Sequence, residues 1–429
     1  MRRAAVGTLL AAAILMGSPQ PGAAQSGSGN QPDQPPETID DTIQAGEASA
    51  EAPRRQIVRW NEFDGRFLSI RMGAGYLFEY IAYSQDDNSK EQFDLHPEWK
   101  TRDARFLFNG RLKFKRPVTW SAGMMYDGPN DTWLVRQTGI MVDVPEIWGQ
   151  VFVGRGKEGF SMSKVMVGYA GFTMERATIN DASIPLFGDG VKWLGYVPSA
   201  HIGWNLGVYA DWLSEDQTWS SYDHQIAARF MWVPFSSHAG GTLLHVGFNA
   251  RMGRPDEGEL RLRSRPEAFP APYFLETPKF AAQSATTTGL EIYYRPGPFL
   301  IGTEYYIQTT DAPEFADPRF HGGEVTAAWL VTGETRAYNP RGGYFNQVSP
   351  ARGVFDGGAG AWELVGRVTY SDLDDKSIRG GTFWRTTSMV NWHLSDNVRF
   401  ETAYGYGSLD RFDVTGTTHF FQSRLQLQF

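Results

Sequence analysis

Apolar and polar residues alternate along much of this chain with a period of two. The stretch Ala104–Lys115, ARFLFNGRLKFK, shows the pattern, and its polar positions carry four cations: Arg105, Arg111, Lys113 and Lys115. Because successive side chains of a strand point to opposite faces, one face of this strand is apolar and the other strongly cationic. The pattern fits a water-soluble sandwich, or a membrane barrel whose apolar face contacts lipid and whose polar face lines the lumen.

The alternation recurs from Arg66 to the end of the chain. The further segments are Phe67–Tyr83, Val118–Tyr126, one beginning at Thr132, Ile147–Gly154, Ile202–Trp212, Ile226–Trp232, Leu244–Met252, Leu290–Arg295, Phe299–Gln308, Val325–Thr332, Trp362–Tyr370, Phe383–Leu394, Val398–Tyr406 and His419–Phe429. A soluble sandwich would have to place 14 Trp and 28 Phe in one core. Since bacterial barrels take even strand numbers, we predict an all-β transmembrane antiparallel barrel of about 16 strands.

The first residues have the pattern of a secretory signal peptide. A charged start, Met1 to Arg3, precedes an apolar run that is too short to span a bilayer, and small residues follow up to Ala24. The alternative is an N-terminal helix of a cytosolic protein. We predict a signal peptide over residues 1–24, cleaved after Ala24. An acidic, disordered tether is predicted over residues 25–56 and the barrel over residues 57–429.

Composition supports export and a membrane barrel. The chain has no Cys in 429 residues, so a closed, hydrogen-bonded barrel rather than disulfides would have to stabilise it outside the cytoplasm. Aromatic residues make up 14% of the chain and Gly occurs 47 times, as expected for strands with aromatic girdles and tight turns. The net charge of −8 opposes anion binding, so any anion site must depend on local placement of cations.

The end of the chain predicts the cellular location. His419–Phe429, HFFQSRLQLQF, alternates and stops on Phe429, which resembles the assembly signal of outer-membrane barrels. The alternative is an edge strand that ends there by chance. Together with the predicted signal peptide, this segment predicts export to the bacterial outer membrane.

One long stretch, Val151–Asp181, breaks the alternation. With a periplasmic N-terminus, the fifth segment runs outward, so this stretch begins at the extracellular end as the third long loop. Such a connection is long for a compact domain. We predict that it folds into the lumen and narrows it.

Four motifs resemble the phosphate-selective porin O and P family. They are RGKEGFS…FTMERA within residues 155–177, Leu260–Glu267, Trp329–Gly343 and Gly360–Gly381. The motifs are co-linear, and the resemblance covers roughly Arg66–Phe429. It implies a trimeric barrel of sixteen strands. In such a barrel, anions pass along a ladder of lumenal arginines and lysines to a narrow phosphate-binding zone.

The resemblance also implies site residues in the long loop. Lys164 matches the constriction lysine of the family, and Arg176 matches the arginine of its MER motif. The paired serines of the family fall on Val167 and Gly168, which is a departure from the family pattern.

A second departure lies on the second strand. The arginine pair of the family falls on Arg102 and Asp103, so one charge is reversed. Arg105 lies close by in sequence and is expected to compensate for it.

The polar strand faces predict a cationic lumen independently of the resemblance. The cations are Arg71, Arg105, Arg111, Lys113, Lys115, Arg229, Arg251, Arg367, Arg399 and Arg424. The same faces carry carboxylates: Glu79, Glu291, Glu304, Glu363 and Glu401. The guanidinium fork suits phosphate oxygens, so these cations predict an anion path. Alternatively, they pair with the carboxylates and brace the wall.

We predict a passive channel rather than an enzyme. The sequence has no GxSxG, HExxH or P-loop motif, and its histidines are scattered. The expected partners are inorganic anions such as phosphate, outer-membrane lipid and further copies in a homotrimer, with no cofactor, metal or nucleic acid. The alternatives are a porin of low or different selectivity in the same family, an outer-membrane barrel enzyme and a structural anchor barrel.

Overall fold

A computed structural model describes residues 61–210, 222–237 and 241–429. The predicted signal peptide, 1–24, and the predicted tether, 25–56, lie outside the described residues. Within these ranges, sixteen antiparallel strands form the wall of a closed barrel. The strands are β1 Ser69–Gln85, β2 Glu98–Leu112, β3 Val118–Asp127, β4 Thr138–Val144, β5 Gly149–Gly156, β6 Gly188–Val197, β7 Ile202–Ala210, β8 Tyr222–Ser237, β9 Thr242–Pro255, β10 Ser284–Pro296, β11 Phe299–Asp311, β12 Arg319–Leu330, β13 Ala361–Asp375, β14 Ile378–His393, β15 Val398–Arg411 and β16 Val414–Gln428.

The remaining elements are short. In the ranges that the structure describes, three helices, α1 Asp87–Gln92, α2 Met162–Val165 and α3 Thr178–Ser183, accompany single 3-10 turns. Two-residue hairpins pair Glu259–Leu260 with Phe280–Ala281, Arg263–Ser264 with Leu275–Glu276, and Tyr338–Asn339 with Tyr344–Phe345. Among the described residues, no helix is both long enough and apolar enough to span a membrane.

The first and last strands close the wall, as a barrel requires. They pair in a continuous register from Gly75 with Gln428 to Gln85 with Thr418. Phe429 extends this pairing beyond β16, because its N–H donates to the carbonyl of Ala74 at 3.0 Å. The predicted all-β barrel of sixteen strands is therefore confirmed.

One wall strand was not predicted. Strand β6, GDGVKWLGYV, lacks alternation because most of its residues are buried or half-buried on both faces, and three of its ten positions are Gly. The segment expected from Thr132 is divided: Thr132–Val135 pairs with the end of β3, and β4 pairs with its beginning. The alternating pattern identifies strands in which only the outer face is apolar. It therefore missed β6, which the inner loops cover.

The wall has the sidedness of a membrane barrel. On β2, the Phe106 side chain is 51% exposed on the outer face, whereas the neighbouring Arg105 is 7% exposed on the lumenal face. Aromatic rings stack between neighbouring strands on the outside, for example Phe299 with Trp329 at 5.3 Å and Trp362 with Trp392 at 4.9 Å. Apolar side chains face outward and polar ones inward, the reverse of a soluble sandwich.

Three long connections fold into the barrel. The first inner loop, 157–187, and the second inner loop, 256–283, start from the rim where β1 ends, which we call the second rim. The third inner loop, 331–360, starts from the first rim, where β1 begins. The first and third loops meet, because Arg336 donates to the carbonyl of Ala170 at 2.7 Å. The lumen is therefore narrowed from both rims.

Deletion of Phe429 is expected to lower the yield of folded barrel. The deletion removes the two backbone hydrogen bonds that Phe429 exchanges with Ala74, both of 3.0 Å, and an outward aromatic ring at the seam. Each such bond contributes about 1 kcal/mol. The measurement is the fraction of heat-modifiable protein on unboiled gels. Replacement of Phe429 by Tyr, which keeps both the backbone and the ring, is the control, and an unchanged yield on deletion would contradict the expectation.

Candidate functional site

The first inner loop is attached to the wall where it begins. Ser161 caps α2 by accepting a hydrogen bond from the N–H of Lys164 at 3.2 Å, and its own N–H donates to Asn249 Oδ1 at 2.9 Å. Its hydroxyl donates to Glu304 Oε2 on β11 at 2.6 Å, and the N–H of Ser163 donates to Glu304 Oε1 at 2.9 Å. A carboxylate at the start of α2 thus satisfies donors that a helix N-terminus leaves without partners.

Glu304 is fully buried and anchors the loop without a contacting cation in the described part of the chain. Tyr293 donates its hydroxyl to Glu304 Oε1 at 2.7 Å, and Tyr306 donates to Oε2. With the two bonds from the loop, this carboxylate accepts four hydrogen bonds. Each such hydrogen bond contributes about 1 kcal/mol, so the four together make Glu304 the attachment point for the beginning of the loop.

The end of the first inner loop is held by a second carboxylate, Glu175. Arg102 on β2 donates to both Glu175 oxygens, at 2.9 and 3.1 Å, and Arg424 on β16 also donates to it. Burial acts to raise the pKa of Glu175, but these two guanidinium groups outweigh it and lower the pKa from 4.5 to about 2. A lowered carboxyl pKa means that the attachment contributes stability above pH 4.5 and loses it only as the pH falls toward 2.

Lys164 lies inside the loop rather than at an open surface. Its ammonium pairs with Asp181 at 2.9 Å, and the residue is 3% exposed. Burial lowers the pKa of Lys164 from 10.5, and Asp181 offsets only part of this effect. The resemblance assigns a constriction role to this lysine, and its charge is locally balanced by a carboxylate.

Arg176 lies in a different environment. Its Nε donates to the carbonyl of Ser163 at 2.7 Å, and no carboxylate of the described residues lies within 4 Å of its guanidinium. Asp181 and Glu175 act on it only through space. Within the first inner loop, Arg176 is therefore a half-buried guanidinium whose charge no contacting carboxylate cancels.

The loop encloses a small cleft against the wall. Its volume is about 60 Å³, which is enough for a few waters or one small oxyanion. Five arginines and three carboxylates line it: Arg102, Arg105, Arg176, Arg367, Arg424, Asp103, Glu175 and Glu324. The structure thus brings together Arg102, Arg105 and Arg176, which the sequence indicated separately, and places Lys164 behind them.

Most of the predicted cations are ion-paired. Arg105 donates to both oxygens of Asp103, at 2.7 and 2.6 Å, so it balances the reversed charge next to it rather than adding a free one. Arg229 pairs with Glu291 at 2.6 Å. Arg251 pairs with Glu158 of the first inner loop at 2.8 Å. For these three arginines, the structure agrees with the alternative interpretation, in which the lumenal cations pair with carboxylates and brace the wall.

Four more of the predicted cations, Arg71, Arg111, Lys113 and Lys115, lie at the first rim, away from the cleft. Arg71 is 3.6 Å from Glu62, and Lys113 pairs with Asp64 at 2.5 Å. Lys115 is exposed beyond the end of β2. The backbone N–H of Arg111 donates to the hydroxyl of Ser69 at 2.9 Å.

Sequence reasoning missed four further lumenal arginines that contact no carboxylate within 4 Å in the described ranges. They are Arg265, Arg295, Arg341 and Arg385. Arg385 donates to the carbonyl of Pro266 at 2.6 Å and to Gln422 at 2.5 Å. Arg295 donates to the carbonyls of Gly241 and Arg336, at 2.8 and 2.5 Å. Strand alternation already placed Arg295 and Arg385 on polar faces. Arg265 and Arg341 lie within two of the family-like motifs, Leu260–Glu267 and Trp329–Gly343, but the motifs did not mark either arginine as lumenal.

Raising the pH toward 10 is expected to reduce any anion preference of the channel through Lys164. Because its pKa lies below 10.5, Lys164 loses its proton before Arg176 does, and it leaves Asp181 as a net negative charge near the protonated Arg176. The measurement is the reversal potential in a KCl gradient from pH 7 to 10. A Lys164→Met variant should show no such dependence, and an equal dependence in the variant would assign the effect to another group.

The barrel and the loops define a class of protein. A closed antiparallel barrel of sixteen strands, apolar outside and narrowed by inward-folded loops, is the architecture of an outer-membrane porin. Residues 100–429 match the sequence profile of the family described as phosphate-selective porin O and P. The chain belongs to this family.

Sequence identity to individual relatives is low. Porin O of Pseudomonas aeruginosa is 24% identical over 204 residues, which is 41% of this chain and 46% of that protein. An uncharacterized protein of Caulobacter vibrioides is 29% identical over 175 residues, which is 40% of this chain and 35% of that protein. The chain thus spans less than half the length of the curated relatives that it matches.

Solved structures show the same fold. An anion-selective porin from Comamonas acidovorans superposes with a TM-score of 0.55 at 10% identity, covering 84% of this chain and 100% of that one. The trimer form of OmpT from Vibrio cholerae superposes with a TM-score of 0.52 at 11% identity, covering 85% of this chain and 100% of that one.

Proposed function

We propose that this porin passes anions, phosphate among them, and that Arg176 provides the selective charge. The observation that carries the proposal is the environment of Arg176. Its guanidinium borders the lumenal cleft and contacts no carboxylate among the described residues. Low-dielectric walls focus the field of a charge in such a cleft, so one uncompensated guanidinium can bias permeation.

A series of uncompensated guanidinium groups supports an anion path. Arg265 is on the second inner loop, Arg385 on β14 and Arg176 in the cleft; Arg295 lies at the end of β10 and Arg341 on the third inner loop at the first rim. An anion that moves along this series exchanges one set of N–H donors for the next. Such exchange needs several weak sites rather than one tight site. This series differs from the predicted ladder, most of whose members are neutralised.

Arg265, one of these guanidinium groups, is oriented but not neutralised by aromatic rings at the second rim, an arrangement that we call the rim stack. The Arg265 guanidinium lies 4.5 Å from the ring centre of Tyr273 and 5.3 Å from that of Phe269. The Arg102 guanidinium also lies over the Phe269 ring, 3.3 Å from its centre. Stacking fixes a guanidinium through its face and leaves its edge donors for an anion. The stack therefore connects the second rim to the cleft through Arg102.

The neutralised wall favours a second candidate, a channel of low selectivity. The cleft lining has five arginines and three carboxylates, and Glu79 and Glu267 also contact its arginines, at 2.5 Å each. A nearly balanced set of charges makes a dipolar surface that attracts anions weakly. Polar neutral solutes would then pass as readily as phosphate.

Outer-membrane insertion after removal of residues 1–24, and a homotrimer, are part of the proposal. The family match and the porin neighbours support the outer-membrane location, and the trimeric neighbour supports the homotrimer; removal of residues 1–24 rests on the sequence pattern. Outer-membrane lipid and inorganic anions are the proposed partners, and no enzymatic activity is proposed.

The test is a planar-bilayer recording of the purified protein. We expect a reversal potential of the anion-selective sign in a KCl gradient, and a chloride current that phosphate and pyrophosphate reduce in a concentration-dependent way. A reversal potential near zero without block would favour the channel of low selectivity. A cation-selective potential would contradict both the anion path and the role of Arg176.

A further inference from the structure

A cleft of about 450 Å³ lies at the second rim, apart from the lumenal cleft. It is formed by the second inner loop, the β13–β14 turn and the end of β15 with the turn that follows. Its lining includes four cations and one carboxylate: Arg261, Lys279, Arg379, Arg411 and Glu276. We call it the outer cleft. Its surface carries a clear excess of positive charge.

The carboxylates near the outer cleft leave donors available. The Glu276 carboxylate pairs with Arg261 and lies 3.9 Å from Arg411, which instead donates to the Glu276 backbone carbonyl at 3.4 Å. The nearest carboxylate to Arg379, Asp374, is also 3.9 Å away. The Nε of Arg411 is buried and has no hydrogen-bond partner. The exposed Arg379 therefore offers N–H donors to an incoming oxyanion, and Arg411 adds positive charge beside it.

Lys279 adds a charge on the opposite wall. It pairs at 3.1 Å with Glu259, which is not part of the lining, and its side chain remains 61% exposed. The Arg379 side chain is 64% exposed. Exposed pairs of this kind contribute about 0–1 kcal/mol, so a multiply charged anion can displace the carboxylate partner.

The outer cleft also has an apolar edge. Phe412 is 67% exposed, and the Arg411 guanidinium lies 4.9 Å above its ring. Phe412 and Asp413 have φ angles of 52° and 63°, the left-handed region that favours glycine or asparagine in a tight hairpin turn. A large apolar side chain is thus held outward beside the cations, an arrangement that suits an amphipathic ligand better than a free inorganic ion.

We propose that the outer cleft binds phosphate groups, with a phosphorylated glycolipid of the outer leaflet as their source. The volume is in the range of sites for molecules far larger than one phosphate, so it suits a sugar headgroup with more than one phosphate. The predicted orientation, with a periplasmic N-terminus, places the second rim at the extracellular side, where such a headgroup lies. The site does not depend on the proposed anion path, because none of its cations lines the lumenal cleft.

The test uses detergent-solubilised full-length protein and three probes: diphosphorylated lipid A, its dephosphorylated form, and sodium pyrophosphate. The test variant is Lys279→Glu/Arg379→Glu; both side chains are exposed, Lys279 lies in the second inner loop, and Arg379 lies at the start of β14 beside the β13–β14 turn. The matched control is Arg254→Glu/Arg319→Glu, which reverses two exposed cations elsewhere on the same rim. We expect the test variant to bind diphosphorylated lipid A about tenfold or more weakly, since each cation near an anionic surface contributes about 1 kcal/mol. The control should bind as wild type does.

Each outcome decides the proposal. Weaker binding of diphosphorylated lipid A in the test variant alone, with little binding of the dephosphorylated form, supports the lipid source. Binding of pyrophosphate alone, lost in the test variant, keeps the phosphate site but overturns the lipid as its source. Equal binding of all probes by the test variant and wild type overturns the site. Unchanged reversal potentials in the test variant would confirm that the outer cleft and the anion path are separate.

Discussion

Replacing Arg176 by Glu is expected to abolish anion selectivity and to make the channel prefer cations. The substitution exchanges an uncompensated positive charge for a negative one beside Asp181 and Glu175, whose charges already act on this position. At an effective dielectric of about 20, a unit charge about 4 Å from an ion is worth about 4 kcal/mol before desolvation. If a third of that survives hydration and screening, the chloride-over-potassium permeability ratio falls by about tenfold or more.

Two control variants separate the role of Arg176 from a general effect of charge. Lys115→Glu makes the same charge change at the exposed first rim, where water and salt screen it, and should shift the reversal potential much less. Arg176→Lys keeps the charge and loses the fork, so it should retain chloride selectivity but weaken block by phosphate. Wild-type reversal potentials in both Arg176 variants would place the selective charge at another residue.

Replacing Glu304 by Ala is expected to detach the beginning of the first inner loop from the wall. The change removes the acceptor for Ser161, Tyr293, Tyr306 and the N–H of Ser163. Each buried donor left without a partner costs roughly 1–3 kcal/mol, so the attachment loses most of its stability. The loop should then leave its position part of the time, and single-channel recordings should show a larger and noisier conductance.

The wall itself should survive this substitution. Glu304 points into the lumen, and the β10–β11–β12 hydrogen-bond ladders do not depend on its side chain. Heat-modifiable protein should therefore form in wild-type amounts. Glu304→Gln retains an acceptor oxygen and close to wild-type volume, and should restore most of the quiet conductance. Wild-type conductance in Glu304→Ala would mean that Glu175 and its two arginines hold the loop alone.

The fold could be predicted because the membrane imposes a pattern on one face of each strand. Alternation identified most wall strands, including β2 and the closing strand that ends beside Phe429. It failed at β6, where Lys192 and Trp193 lie among glycines and the inner loops cover the lumenal face. Its lumenal face carries the buried, apolar Leu194, so the two faces differ little in polarity and the alternation is lost.

The site was only partly predictable because pairing between distant residues carries no local signal. Arg105 and Asp103 are two residues apart, yet Arg251 pairs with Glu158 of the first inner loop, and Arg424 pairs with Glu79, its neighbour across the seam between β16 and β1. Sequence could place these groups on polar faces but could not tell which charges cancel. Arg176 became distinct from Lys164 only when the loop geometry placed Asp181 beside the lysine.

The third inner loop makes the channel behave as two resistances in series. One narrow section lies along the first inner loop, and the other lies where Tyr338–Asn339 and Tyr344–Phe345 fold in from the opposite rim. When resistances add, widening one section raises the total conductance only up to the limit set by the other. Release of the first inner loop should therefore give a conductance that saturates. Shortening the third loop as well should raise it further, by more than the sum of the two separate changes.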